Sequence, residues 1–311
     1  METYSGKLAV ITGGGAGMGA ELARQLAVEG CHVAICDVSS KNLEETLALC
    51  EASAAPGVRL SSFVADVSSE AELEAFRAHV EDAHGCNHVD LLFNNAGIGG
   101  AGYSFVVEPR EQWERVFNVN WGGVYLGVRV FLPSLMRSPQ ARIVNTSSVN
   151  GFWAGLSTSE SLVAYSAAKF AVRGFSEALI TDLRLRAPNV GISLVMPGYI
   201  GTSLVRNSMS YLGGHDDVLP GSNGSDGLQG DLKAIDESFR TNAPMSSAEA
   251  AADILEGVRA GEWRILIGDD AHILDAAVRA HPEGVYEPDF YVKMREQGVF
   301  ATMPDPPAGS S

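Results

Sequence analysis

Positive charge is scarce in this chain: 22 Lys and Arg stand against 38 Asp and Glu, a formal net charge of −16 over 311 residues. A field of that sign repels phosphate backbones and anionic headgroups, which argues against nucleic acid or a membrane surface as partner. Long apolar runs are missing as well. None approaches the ~20 residues a bilayer-spanning helix needs, and the opening Met-Glu-Thr-Tyr-Ser-Gly-Lys has neither the basic start nor the apolar core of a signal peptide. Cysteine is sparse: Cys31, Cys36, Cys50 and Cys86 all lie in the first third with no C-x-x-C spacing. They read as reduced, mostly buried small hydrophobes rather than a disulfide or metal framework. The seven histidines show no ligand spacing; His79, His84 and His88 read as solvated near a helix end, and Asp269-Asp270 as a charged turn. No metal is expected. These absences leave a soluble, cytoplasmic protein acting on a small molecule.

What is present is a regular alternation. Leu8–Ile11 is a short apolar run ending in glycines, as a buried parallel strand should look. Helical spacing follows over Glu21–Glu29, a strand over His32–Cys36, a strand over Leu60–Val64 and a helix over Glu70–Ala83. The rhythm continues with a strand (Val89–Phe93), a long helix (Glu111–Leu135), a strand (Arg142–Thr146), a second long helix (Val163–Arg186) and a strand (Gly191–Met196). A helix (Ala248–Ala260) and a last strand (Arg264–Ile267) complete it. Strands separated by helices of this length predict βαβ units: an α/β fold with a doubly wound parallel sheet of about seven strands, helices on both faces. Residues 1–302 read as one domain. Within it, 203–243 breaks the rhythm with Gly213-Gly214, Pro220-Gly221 and Gly224, and loops of that length inside a domain are usually functional. Its apolar start, Leu204, Val205, Met209, Tyr211 and Leu212, predicts a lid over the site. The tail 303–311, rich in Pro, Gly and Ser, reads as disordered.

The chemistry begins at Thr12-Gly13-Gly14-Gly15-Ala16-Gly17-Met18-Gly19, between the first strand and first helix. Glycines there let the backbone turn sharply and approach a pyrophosphate, which the helix N-terminus binds through its free N–H groups. Asp37 lies at the end of the second strand, where a carboxylate accepts from the ribose hydroxyls of NAD and repels the 2′-phosphate of NADP. Further on, Tyr165 and Lys169 are one helical turn apart on the same face. A neighbouring ammonium would lower the tyrosine pKa from about 10 toward the range useful for proton transfer.

These elements, with Asn94-Asn95-Ala96-Gly97, Tyr165-Ser166-Ala167-Ala168-Lys169 and Pro197-Gly198 in order, resemble the classical short-chain dehydrogenase/reductase family over roughly residues 6 to 202. The resemblance implies a Rossmann-like fold and hydride transfer between a nicotinamide and a carbonyl or alcohol carbon. It implies Tyr165 as proton carrier, Lys169 on the nicotinamide ribose, Ser148 on the substrate oxygen and Asn120 holding a water in a proton relay. Ser148 lies seventeen residues before Tyr165 rather than the family's usual thirteen or so, so Ser147 stands as the alternative. For the cofactor it implies Gly13, Gly17, Met18, Gly19, Asp37, Asp66, Val67, Asn94, Ile200 and Thr202, besides Tyr165 and Lys169. Ala16 in place of a basic residue, and no arginine directly after Asp37, favour NAD. A substrate wall of Phe152, Trp153, Leu156, Tyr199, Leu204 and Met209 points to an apolar secondary alcohol or ketone, alicyclic, aromatic or steroid-like. A 3-oxoacyl carrier-protein reductase fits less well, because acidic carrier proteins dock on basic patches. A non-catalytic dinucleotide sensor would be expected to lose the tyrosine or lysine. Family members suggest a homodimer or homotetramer through the two long helices.

Overall fold

The computed structural model describes residues 2–100, 104–155, 162–204, 207–208, 236–287 and 289–302. Its first half alternates without exception: β1 (Leu8–Thr12), α1 (Gly17–Val28), β2 (His32–Asp37), α2 (Ser40–Ser53), β3 (Leu60–Val64), α3 (Glu70–His84) and β4 (Leu91–Asn94). Next come α4 (Arg110–Phe117), a π-helical turn (Asn118–Gly122), α5 (Gly123–Arg137), β5 (Ala141–Thr146), a 3₁₀ turn (Val149–Gly151), α6 (Val163–Arg186) and β6 (Val190–Pro197). The short strands β7 (Ile200–Gly201) and β8 (Met245–Ser246) pair with each other, and α7 (Ser247–Ala260), β9 (Arg264–Ile267), α8 (Asp269–Ala280) and α9 (Phe290–Glu296) follow.

Seven strands form one parallel sheet in the order β3-β2-β1-β4-β5-β6-β9. β1 is buried along its whole length because helices cover both faces, which is why its sequence is continuously apolar rather than alternating. On one face Leu22 and Leu26 of α1, Leu43 of α2 and Ile254 of α7 pack on Ile11 and Ile35. On the other, Phe76 of α3, Phe131 of α5 and Leu183 of α6 pack on Leu92 and Ile143. A third core lies around the segment after β5, where Trp153 meets Leu274 of α8 and Phe290 and Met294 of α9. The strand order reverses at β1, which pairs with β2 on one side and β4 on the other. Such a switch point opens a crevice at the carboxyl ends of the strands, where α/β sheets bind ligands.

Several expectations need correction. The helix read over Glu111–Leu135 is two α-helices joined by the π turn. α2, α8 and α9 were not foreseen: α2 is largely polar, held instead by Ser39, whose side chain accepts from Asn42 N. His84 is 1% exposed and hydrogen-bonded to Ser61 Oγ at 2.9 Å rather than solvated. Asp269-Asp270 opens α8, and Asp270 is buried, accepting from Tyr199 N at 2.7 Å. The tail 303–311 lies outside the described residues.

Candidate active site

The crevice at the switch point is a cleft of ≈ 790 Å³. Gly13, Ala16, Gly17 and Met18 form one wall. Gly17 has φ +54°, a left-handed conformation that glycine adopts at no steric cost, and it turns the chain directly into α1. The helix begins at Gly17, its N-cap Ala16 offers no side-chain cap and its first turn no acidic residue, so its leading N–H groups are available to an anion. Thr12 ties this turn to the loop after β4: its Oγ1 accepts from Asn95 N and Ala96 N, both at 3.1 Å. Asn95 Nδ2 donates to Thr12 O at 3.1 Å and Gly13 O at 3.3 Å.

At the end of β2, the Asp37 carboxylate accepts from Gly15 N at 3.2 Å and Ser39 N at 3.0 Å and lines the cleft. Burial raises its pKa above the ordinary carboxylate range, opposed by those backbone donors. Asp66 and Val67 after β3, and Ile200, Thr202 and Leu204 after β6, line the same cleft. The residues present therefore fit a dinucleotide: a turn that admits backbone-close phosphates, an uncapped helix start, and a carboxylate held at the ribose end.

The same cleft is lined by Ser148, Tyr165, Lys169 and Asn120. Ser147 and Ser148 have different partners. Ser147 Oγ donates to Lys169 O at 2.8 Å and is committed to the helix backbone, whereas Ser148 Oγ accepts from Asn150 N at 3.2 Å and lines the cleft with Tyr165. Lys169 is 3% exposed and donates from Nζ to Thr146 O at 3.0 Å. Its Nζ lies 5.4 Å from the centre of the Tyr165 ring. Burial pushes the Lys169 ammonium down to about 7. Tyr165 is raised, mainly by burial, with Ser148 pulling the other way. The lowering of Tyr165 expected from a neighbouring ammonium is therefore not what the site shows: its own burial raises it, and the opposing pull comes from Ser148.

Asn120 sits in the π turn, a feature that often marks functional sites in helices. Its Nδ2 donates to Ile98 O at 2.7 Å and Val116 O at 2.9 Å, while its buried Oδ1 has no protein partner. A Cβ placed on Gly97 would lie 2.8 Å from that Oδ1 and 3.5 Å from Lys169 Nζ. Glycine at 97 leaves the space between them open.

Five expected site residues lie off the cleft lining, among them Phe152, which is buried in the third core. Asn94 is buried in β4 with Nδ2 donating to Asn145 Oδ1 at 2.8 Å; it is the following Asn95 that lines the cleft and braces the glycine turn. Gly19 is a packing glycine: a Cβ there would collide with the Gly13 carbonyl oxygen and lie 2.6 Å from Asn95 Nδ2. Trp153 is 1% exposed and donates from Nε1 to Val285 O at 2.9 Å, turned into the third core. Tyr199 is likewise buried, its hydroxyl donating to Phe239 O at 2.7 Å. Ser203, Asn207 and Phe239 line the cleft unforeseen, so both ends of the 203–243 segment reach it. Leu156, Val205, Met209, Tyr211 and Leu212 lie outside the described residues.

A parallel seven-stranded sheet with this cleft at its switch point defines a Rossmann-like α/β fold. The short chain dehydrogenase family model matches residues 7–211, and the chain belongs to that family. It is 35% identical over 284 residues to SadH of Mycobacterium tuberculosis, a protein described as an oxidoreductase, covering 90% of this chain and 92% of that one. Levodione reductase of Leifsonia aquatica is 33% identical over 209 residues, 67% of this chain and 75% of the relative. A solved short-chain dehydrogenase/reductase from Burkholderia phymatum, in complex with NAD, superposes with a TM-score of 0.75 at 30% identity, covering 92% of this chain and 96% of that one. None of the described helices is long and apolar enough to cross a membrane.

Proposed function

We propose that this oxidoreductase is a cytoplasmic, NAD-dependent alcohol dehydrogenase or ketone reductase acting on an apolar secondary alcohol or its ketone. The observation that carries the reading is the convergence of Ser148, Tyr165, Lys169 and Asn120 in the cleft that also holds the glycine turn and Asp37. NAD, when bound, supplies the hydride acceptor. Gly13, Gly17, Met18, Asp37, Asp66, Val67, Ile200 and Thr202 would hold it, with Asp37 favouring NAD over NADP. Tyr165 takes the proton from the alcohol hydroxyl and returns it to the carbonyl oxygen in the reverse direction. Ser148 holds that oxygen by a hydrogen bond. Lys169, once charged, stabilises the Tyr165 phenolate, and the unpartnered Asn120 Oδ1 beside it fits a water that carries the proton onward.

Ile98, Leu204 and Phe239 give the cleft an apolar side, which supports an alicyclic, aromatic or steroid-like substrate. The exposed Tyr125 of α5 and Phe170 of α6 support a homodimer or homotetramer through these helices, testable by sedimentation. The activity is tested by following NADH absorbance with cyclohexanol, 1-phenylethanol and testosterone, then with an acyl thioester. Turnover of at least one alcohol with NAD, and none of the thioester, is expected. Thioester reduction with NADPH alone would overturn the reading.

A further inference from the structure

Asn150 lies outside the cleft lining, yet it is 1% exposed between the two elements that carry the proton-transfer pair. Its backbone N–H donates to Ser148 Oγ at 3.2 Å, Ser148 Oγ donates to Asn150 Oδ1 at 3.4 Å, and Asn150 Nδ2 donates to Ser166 Oγ at 3.1 Å. Ser166 directly follows Tyr165 on α6. One side chain therefore joins the 3₁₀ turn after Ser148 to the helix position next to the tyrosine.

A hydroxyl has one proton and two lone pairs. The Ser148 proton points to Asn150 Oδ1, and one lone pair is taken by the Asn150 amide. The other lone pair is not taken up by Asn150. We propose that Asn150 is a positioning residue for Ser148, holding Oγ by two bonds so that its proton is ready for the substrate oxygen. The 3.4 Å bond is long and hence weak, so the serine proton swings to an arriving oxygen with little loss. This inference rests on reading Ser148 and Tyr165 as the pair that handles the substrate oxygen.

The test is a double-mutant cycle on Asn150→Ala and Ser148→Ala, with NAD and whichever of cyclohexanol, 1-phenylethanol and testosterone turns over fastest. NADH binding is followed by fluorescence and folding by thermal melting. Asn150→Ala should lower kcat about 10- to 100-fold, as misplaced catalytic groups do, with NADH Kd unchanged. In the Ser148→Ala background the same replacement should change kcat by less than about twofold, because the group it orients is gone. A crystal structure of Asn150→Ala should show Ser148 Oγ turned from Tyr165. The near-isosteric Asn150→Leu serves if the alanine variant does not fold. Additive losses in the cycle, or native kcat in both Asn150 variants, would overturn the proposal. Native kcat in Ser148→Ala alone would overturn the reading of the site, and this inference with it.

Discussion

Replacing Lys169 with Met should stabilise the protein at neutral and acid pH while abolishing turnover. Lys169 is 3% exposed, and burial lowers its pKa from 10.5 to about 7. Between those values the folded state binds fewer protons than the unfolded chain, so stability rises with pH across the window. Below pH 7 the whole penalty of charging a buried ammonium is present. At 1.36 kcal/mol per unit it is about 5 kcal/mol. Met fills the same apolar path without the charge, but gives up the bond to Thr146 O, worth about 1–2 kcal/mol. The net gain is about 3 kcal/mol at pH 6, a rise of several degrees in Tm; it falls to nothing at about one unit below 10.5 and reverses above that, where only the lost bond remains. The assay is thermal and urea unfolding of both proteins at pH 6, 8 and 10, with NADH binding and turnover measured in parallel. A Met variant no more stable than wild type at pH 6, or a difference that stays flat from pH 6 to 10, would refute the argument that desolvation dominates this lysine.

Tyr165→Phe removes only a hydroxyl, so NADH binding should persist while kcat falls ~10²–10⁴-fold; near-native turnover by stopped-flow absorbance would exclude Tyr165 as the proton carrier. Asp37→Ala loses charge-assisted bonds worth about 1.5–3 kcal/mol, so kcat/KM for NAD should drop roughly 10- to 100-fold, and adding Val38→Arg should bring NADP above NAD; a wild type that already prefers NADP contradicts this assignment. Gly19→Ala would press on Gly13 O and Asn95, at about 1–3 kcal/mol of overpacking, and should weaken NADH binding in a fluorescence titration as well as lower Tm. His84 is held neutral by burial, its pKa lowered to about 4. The folded state then takes up fewer protons than the unfolded one between pH 6.5 and 4, so stability falls as pH drops through that range, and urea unfolding of His84→Gln should show a shallower loss.

The parts of the site visible in the sequence are those whose role is set locally. A glycine run between an apolar strand and a helix can only be a tight turn, and Tyr165 and Lys169 share a helix face because their spacing is one turn. The strands were equally legible, since a sheet covered on both faces forces continuous apolar runs. Where position depended on a single residue of register, the reading slipped. Asn94 and Asn95 are neighbours in an extended segment, and successive side chains there point to opposite sides. The first therefore enters the core against Asn145 while the second braces Thr12 and Gly13. Trp153 and Tyr199 belong to an expected substrate wall that is mostly apolar. What removes them from the cleft is distant in sequence: Val285 accepts from the Trp153 indole across 132 residues, and Phe239 takes the Tyr199 hydroxyl.

Asn120 combines both cases. The motif marks the residue, but the apolar pattern over Glu111–Leu135 runs through it without interruption and predicts an unbroken helix. A π turn inserts one residue into that pattern, so the helix on either side keeps its buried face while the residues between rotate. An amide in a regular helix interior would satisfy its backbone locally. Here Asn120 spends its Nδ2 on Val116 O within the helix and on Ile98 O in the loop after β4, which carries Gly97. The helix is thereby fastened to the strand end that lines the cleft, and Oδ1 is left facing the same opening as Lys169 Nζ. The irregularity that hid this geometry from the sequence pattern is also what creates it.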